Sequence, residues 1–320
     1  MSEPSADAWS EWEQVKRIFL TLNEWFRDDT LHHLVGFLAS REATDALAAI
    51  RTVASLEDKA ADKAEFRRNL KAEIFSRVFY RGQSRGVDLA AIDLRAFIQE
   101  AIGALDYRHD SAAIRSVLLL FNLASLMESG ARARFPFGAF KRDKWDIEHI
   151  RSVQSRKPER VDSQKRWLAN VVEYLGGESQ PDSGQAMIAG ARIDLIHQAK
   201  KLVEAEKFDG EAFTSYFLEV QRIYDPYQDL EADNGIGNLT LLDAATNRGY
   251  GNAIFPIKRK TVIALDKVGK FVPLCTKNVF LKYYSRNVDR MLMWDRSDTE
   301  AHAAAIRDCL INFFSDGAQS

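Results

Sequence analysis

The chain has 320 residues, of which 46% are hydrophobic and 28% charged, with a formal net charge of −2 and two cysteines. That length leaves room for two domains, or for one long helical body with an embedded module, and the composition is ordinary for a soluble globular protein. It excludes a four-ligand zinc knuckle built from Cys275 and Cys309 alone, and it predicts free, buried thiols in a reducing compartment. The N-terminus is acidic and polar, and the longest apolar run, Val117 to Phe121, is too short to span a bilayer, so the expectation is a cytoplasmic protein with no membrane partner.

Residues 7–140 read as helices throughout. Trp9, Trp12, Val15, Ile18, Phe19, Leu22 and Trp25/Phe26 recur at steps of three and four, a stripe on one helix face that is either core or an interface lacking its other half. Asp29-Thr30 is read as the cap of a second helix over 31–38, followed by helices over 44–53, 60–79 and 88–105. Asp110-Ser111 is read as the cap of a sixth helix. Its centre (Ile114, Val117 to Phe121, Leu123, Leu126) is apolar nearly all round, which predicts burial in the middle of a bundle.

Phe135-Pro136-Phe137-Gly138 interrupts the helical pattern. Residues 145–150 then read as a strand and 151–161 as a polar, basic loop. Helices are expected over 163–175, 190–205 and 210–223, with an exposed loop over 176–184. Asp233-Asn234-Gly235 is a turn before a strand over 239–242. Residues 253–265 read as a helix with Pro256 near its start, 271–273 as a short strand, and Ser297-Asp298 as the cap of a last helix over 300–314. No internal repeat or Walker-type phosphate loop occurs, so no nucleotide cofactor is expected to bind this chain.

Charge is unevenly distributed. Residues 141–170 hold nine Lys/Arg against five Asp/Glu, and residues 247–290 hold ten against two. Positive charge gathered in this way suits a site that tracks phosphates, which makes DNA the expected partner.

The two basic stretches contain the chain's most specific motifs. The first is Lys144-Trp145-Asp146-Ile147-Glu148-His149-Ile150. The second is Ile236-Gly237-Asn238-Leu239-Thr240-Leu241-Leu242-Asp243, continuing through Asn247-Arg248-Gly249 and Gly251-Asn252 to Phe255 and Lys258. Together they resemble the two pieces of a ββα-metal finger, the catalytic element of HNH endonucleases. The Asn238-to-Asn247 step followed by Arg-Gly is similar to the HNH domain of CRISPR RNA-guided nucleases. The two pieces together more closely resemble the nuclease half of modification-dependent restriction enzymes of the GmrSD type. Trp12, Leu22, Trp25-Phe26-Arg27-Asp28, residues 31–38 and Arg134-Phe135-Pro136-Phe137 resemble the helical segment that precedes that module. Two departures stand out. His149-Ile150 is followed by Arg151-Ser152-Val153-Gln154 where the family usually has His-Pro-Gln or His-Ala-Gln, and the ParB-like nucleotide-hydrolysing sensor half that usually stands in front is not part of this chain. The sensor is therefore expected as a separate chain or a missing half.

The resemblance implies a mainly α protein, a helical bundle with an embedded small finger. A helical domain would cover 1–140, and a nuclease domain 141–320 with a helical insertion over about 151–235. It implies His149 as general base, since a neutral imidazole has a suitable pKa near neutrality. Glu148 and Asn247 become ligands of Mg²⁺ or Mn²⁺, with Asp146 the rival ligand, and Asn238 braces the loop after His149. Arg151, Arg248, Asn252 and Lys258 become candidates for gripping DNA. Against this stand plainer expectations. Lys258-Arg259-Lys260 also reads as a solvated helix face, His32-His33 as packing residues, and the whole finger as a weakly catalytic DNA-binding or partner-binding module.

Overall fold

The computed structural model describes residues 6–41, 46–80, 86–130, 133–151, 157–176, 186–224, 233–250, 253–285 and 291–315. The described residues are mainly α, with fourteen α-helices and one two-stranded antiparallel sheet. They divide into two compact units. One comprises Met1–Ile98, Leu119–Lys141 and Cys309–Ser320, and the other Gln99–Leu118 and Arg142–Asp308.

The first unit contains α1 (Ala6–Arg27), α2 (Asp29–Arg41), α3 (Ala46–Asp58), α4 (Lys63–Phe79), the first half of α5 (Leu94–Gly103) up to Ile98, the later turns of α6 (Tyr107–Glu128), and α7 (Phe137–Arg142) up to Lys141. Its core is aromatic: Phe75 lies 5.1 Å, ring to ring, from both Phe97 and Phe314. Helix starts are set by whichever aspartate reaches a free amide. Asp28, not Asp29-Thr30, accepts from Leu31 N at 2.9 Å. Asp62 accepts from Glu65 N at 2.8 Å while Glu65 accepts from Ala61 N at 2.6 Å, a reciprocal box that starts α4 at Lys63, not at 60. Asp93 caps α5, so the single helix expected over 88–105 is instead a short 3₁₀ turn, Leu89–Ala91, followed by α5.

The aromatic stripe of α1 is not core. Trp25 is buried, whereas Trp12, Val15, Phe19 and Phe26 are each more than half exposed. The apolar centre of α6 is buried as expected from Ile114 to Ala124. That helix is long and apolar enough to cross a membrane by length and composition, and 56% of its most apolar window is buried in the fold.

The second unit carries β1 (Trp145–His149), α8 (Val161–Gly176), α9 (Ala186–Glu204), α10 (Gly210–Tyr224), β2 (Leu239–Asp243), α11 (Ala244–Tyr250), α12 (Phe255–Lys267), α13 (Leu274–Phe280) and α14 (Arg296–Ser315) up to Asp308. The strands pair antiparallel, Trp145 opposite Asp243 and His149 opposite Leu239. Behind them, Trp167, Phe213 and Phe217 stack with Leu242, Phe255 and Phe280 in one apolar cluster. No strand forms over 271–273; Pro273 stands at the N-cap of α13. The last helix is capped by Asp295, which accepts from Asp298 N at 3.0 Å, not by Ser297-Asp298. Most of the expected loop over 176–184, and 152–156 of the loop over 151–161, lie outside the described residues.

Candidate functional site

The two motif pieces meet. Ile150 N donates to Asn238 O at 2.8 Å, extending the β1–β2 ladder by one bond. Asn238 is 1% exposed and uses both ends of its amide: Oδ1 accepts from Arg151 N at 2.8 Å, and Nδ2 donates to the carbonyls of Arg151 and Asp233, each at 3.0 Å. The chain leaving His149 is thereby held at Arg151, 87 positions before Asn238. Gly237 is required here by close approach, because a Cβ would fall against the Thr299 carbonyl oxygen and 2.9 Å from its Cγ2. His302 seals the same turn by donating from Nδ1 to Gly237 O at 3.0 Å.

A sheet of two strands leaves backbone groups free at both edges, and side chains take some of them. The Arg115 guanidinium donates to Trp145 O and pairs with Asp146 at 3.0 Å. Eight residues earlier on α6, the Tyr107 ring meets the His149 ring edge-on at 4.8 Å. Tyr107 stands before and Arg115 after Asp110, whose non-helical backbone breaks α6, so the chain on both sides of that break reaches β1. On β2, the Leu241 carbonyl accepts from Thr276 Oγ1 at 2.6 Å.

His149 is the most constrained titratable group. Burial, and then the nearby Lys258 ammonium, push its pKa down to about 4, opposed by a hydrogen bond to the Asn234 side chain. Nε2 is buried with no hydrogen-bond partner among the described residues. The bond to the Asn234 side chain therefore falls to Nδ1, which donates where the amide turns its oxygen to the ring. That tautomer leaves a lone pair on Nε2. Asn234 is fixed in turn, its carbonyl accepting from Tyr107 N at 3.0 Å.

Glu148 is buried, and burial raises its carboxyl pKa. Lys258, itself 2% exposed, sets its Nζ 2.5 Å from Glu148 Oε1 and donates to the His149 carbonyl at 2.6 Å. Lys258 is thus neither a solvated helix face nor open to a phosphate. Asp146, two residues earlier, is exposed and held by Arg115. Asn247 lies in α11, which packs on both strands. It is half-buried, and its side-chain amide has no partner among the described residues. No hydrogen bond joins it to Glu148 or His149. The side chain of Arg248 and the whole of Asn252 lie outside the described residues.

The basic stretch after 247 is also less free than its charge suggests. Lys260 pairs with Glu173, Lys270 with Asp243, Lys277 with Asp266, and Lys282 with Asp298 in a fully buried bridge. The remaining histidines of this kind are structural. His33 uses both ring nitrogens on backbone, Nδ1 on Asp29 O and Nε2 on Phe135 N, and His302 stacks on Tyr284.

For a divalent cation, no group of three or more His, Cys, Asp or Glu that could hold a metal occurs among the described residues. A cage made by protein alone is absent there. Glu148 and Asn247 carry oxygens of the kind a hard cation takes, and the Lys258 ammonium stands at Glu148 Oε1. Asn234, Tyr107 and Arg115 were not singled out from the sequence as site residues. The turn at 233–235 was legible, but nothing local tied it to His149.

No family model matches this chain, and neither curated proteins nor solved structures give a significant match to it.

Proposed function

We propose that the β1–β2–α11 element is the centre of a metal-dependent DNA endonuclease or nickase, of the HNH type its motifs resemble, acting in the cytoplasm in defence against modified or foreign DNA. The observation that carries this reading is His149, with a buried Nε2 that lacks a partner and an Nδ1 engaged by Asn234. Such a ring is unprotonated at neutral pH and has its lone pair ready to take a proton from water. Its low pKa also weakens it as a base, and the negative charge of a bound phosphate would draw that pKa back up.

Glu148 and Asn247 would hold Mg²⁺ or Mn²⁺, which supplies charge neutralisation at the phosphorane and the departing 3′ oxygen. Asn238 keeps the chain after His149 in place, and Lys258 opposes the rise in the Glu148 carboxyl pKa that burial causes. Basic residues of the two stretches, Arg151 and Arg248 among them, would meet the DNA backbone.

A second reading is favoured by one observation, the internal pairing of Lys258, Lys260, Lys270, Lys277 and Lys282. It makes the chain a non-catalytic helical module for a ParB-like nucleotide-hydrolysing sensor subunit. Plasmid nicking with Mg²⁺ or Mn²⁺ separates the two. The nuclease reading expects nicking that falls at least about 100-fold in His149→Ala. Nicking that survives in the variant removes His149 as base. No nicking together with DNA binding that is insensitive to salt supports the helical module.

A further inference from the structure

The stripe on α1 has the spacing of a coiled-coil seam. Trp12, Val15, Phe19, Leu22 and Phe26 follow one another at steps of three, four, three and four, so Trp12, Phe19 and Phe26 take a positions and Val15 and Leu22 take d positions. All five are exposed, from 38% at Leu22 to 66% at Phe19, and Trp9 and Ile18 extend the apolar surface on either side. At its C-terminal end the seam residue Phe26 meets its own unit, its ring edge-on to His32 at 5.5 Å and beneath the Arg134 guanidinium at 5.2 Å, while Trp12, Val15 and Phe19 stay more than half exposed. The buried anchor of α1 is Trp25, donating from Nε1 to Glu57 at 3.1 Å and packing on Phe66. At 100° per residue it lies about 100° around the helix from the seam centre.

Five large apolar side chains in register on one solvent-facing helix form a patch that a monomer rarely exposes. The charges beside it name the occupant. Glu11 takes a g position and Lys16 the following e position. In a parallel pair, each Glu11 then faces Lys16 of the second copy, once on each side. In the antiparallel alignment that sets Trp12 against Leu22 and Val15 against Phe19, Lys16 would meet Lys16 of the other copy. Three aromatic residues and two aliphatic ones bury on the order of 500 Å² per copy, which brings the interface to about 1,000 Å², the lower bound of a stable association. An isolated helix of this length is marginal in water, but α1 is anchored at its C-terminal end through Trp25 and needs no separate nucleus.

We propose that this chain self-associates through a parallel α1–α1 coiled coil with a second copy of itself. The proposal is independent of the nuclease reading and survives its failure. The test is the oligomeric state of the full chain by light scattering and sedimentation. Wild type is expected to be a dimer at micromolar concentration, and Val15→Glu/Phe19→Glu a folded monomer with unchanged helical circular dichroism. Lys16→Glu is expected to weaken the dimer about fivefold, and Glu11→Lys/Lys16→Glu to restore it. Val15→Cys is expected to oxidise to a covalent dimer, which requires the parallel register. A monomeric wild type overturns the proposal, as does a dimer indifferent to Val15→Glu/Phe19→Glu. Flotation of wild type with anionic vesicles while it stays monomeric assigns the face to a membrane surface and equally overturns it.

Discussion

Lys258 and Glu148 form a buried ion pair, Nζ to Oε1 at 2.5 Å, with 2% and 9% of their side chains exposed. The same ammonium donates to the His149 carbonyl, so one lysine on α12 holds two consecutive residues of β1. Such a pair adds little to stability compared with an apolar substitute, yet removing one partner strands a charge away from water. Lys258→Met is therefore expected to cost about 3–5 kcal/mol, most of it recovered in Lys258→Met/Glu148→Gln. Urea denaturation of the wild type, both single variants and the double variant measures the coupling. A single variant as stable as wild type would refute the structural role given to the pair.

The buried histidines make the second unit sensitive to acid. His149 and His302 both have pKa values lowered to about 4, burial being the largest cause in each. In the unfolded chain they take up protons near 6.5. Between those values the unfolded state binds more protons, so their contribution is complete above about pH 6.5 and is lost as pH falls through about 4. Each adds up to about 1.4 kcal/mol per pH unit to the slope of stability in that window. Urea midpoints at pH 7, 6 and 5 should fall less steeply in His149→Gln than in wild type. Parallel curves would mean that His149 titrates normally in the fold.

Asn234 bonds His149 on the Nδ1 side of the ring, away from Nε2. Asn234→Ala is expected to leave helical content unchanged while lowering nicking about 10- to 100-fold. The lost bond raised the imidazole pKa, so the variant's acid limb should also move to lower pH. A rate loss with an unmoved pH profile would point to a general loosening of the turn instead.

Gly237 tests the packing of α14 on the turn before β2. Gly237→Ala must displace the Thr299 backbone or Asn238, and is expected to cost about 1–3 kcal/mol. Gly103→Ala is the control, since a Cβ there meets nothing within 4 Å. Thermal melts of the two variants compare them directly, and equal melts would show that the turn gives way freely.

Much of the helical architecture was legible because it is local. The apolar run of α6, the Pro256 start of α12 and the Trp145–His149 strand follow from spacing and from groups within a few residues. Helix ends were legible only to within a few positions. Several neighbouring aspartates could serve as a cap: Asp28 takes that place before α2, and before α14 Asp295 does, in a reciprocal pair with Asp298. The motif pieces located Glu148, His149 and Asn238. Asn234 and Tyr107 escaped because their link to His149 crosses long stretches of chain and leaves no trace in spacing.

The sequence by itself determined where most of the longer helices run, that strands lie within a residue of Trp145–His149 and Leu239–Asp243, and that α1 carries an apolar stripe. Only the tertiary structure decided what each charge and each apolar face meets. A sequence reports charge as a local sum, whereas Coulomb energy depends on separation and on burial. The lysines summed as a phosphate-tracking cluster are largely spent on carboxylates within the fold, and Lys258 became a buried strut. Amphipathic spacing likewise says that a helix has an apolar face, but the path of the chain chooses whether anything covers it, and along α1 the fold buries Trp25 while Trp12, Val15 and Phe19 stay more than half exposed.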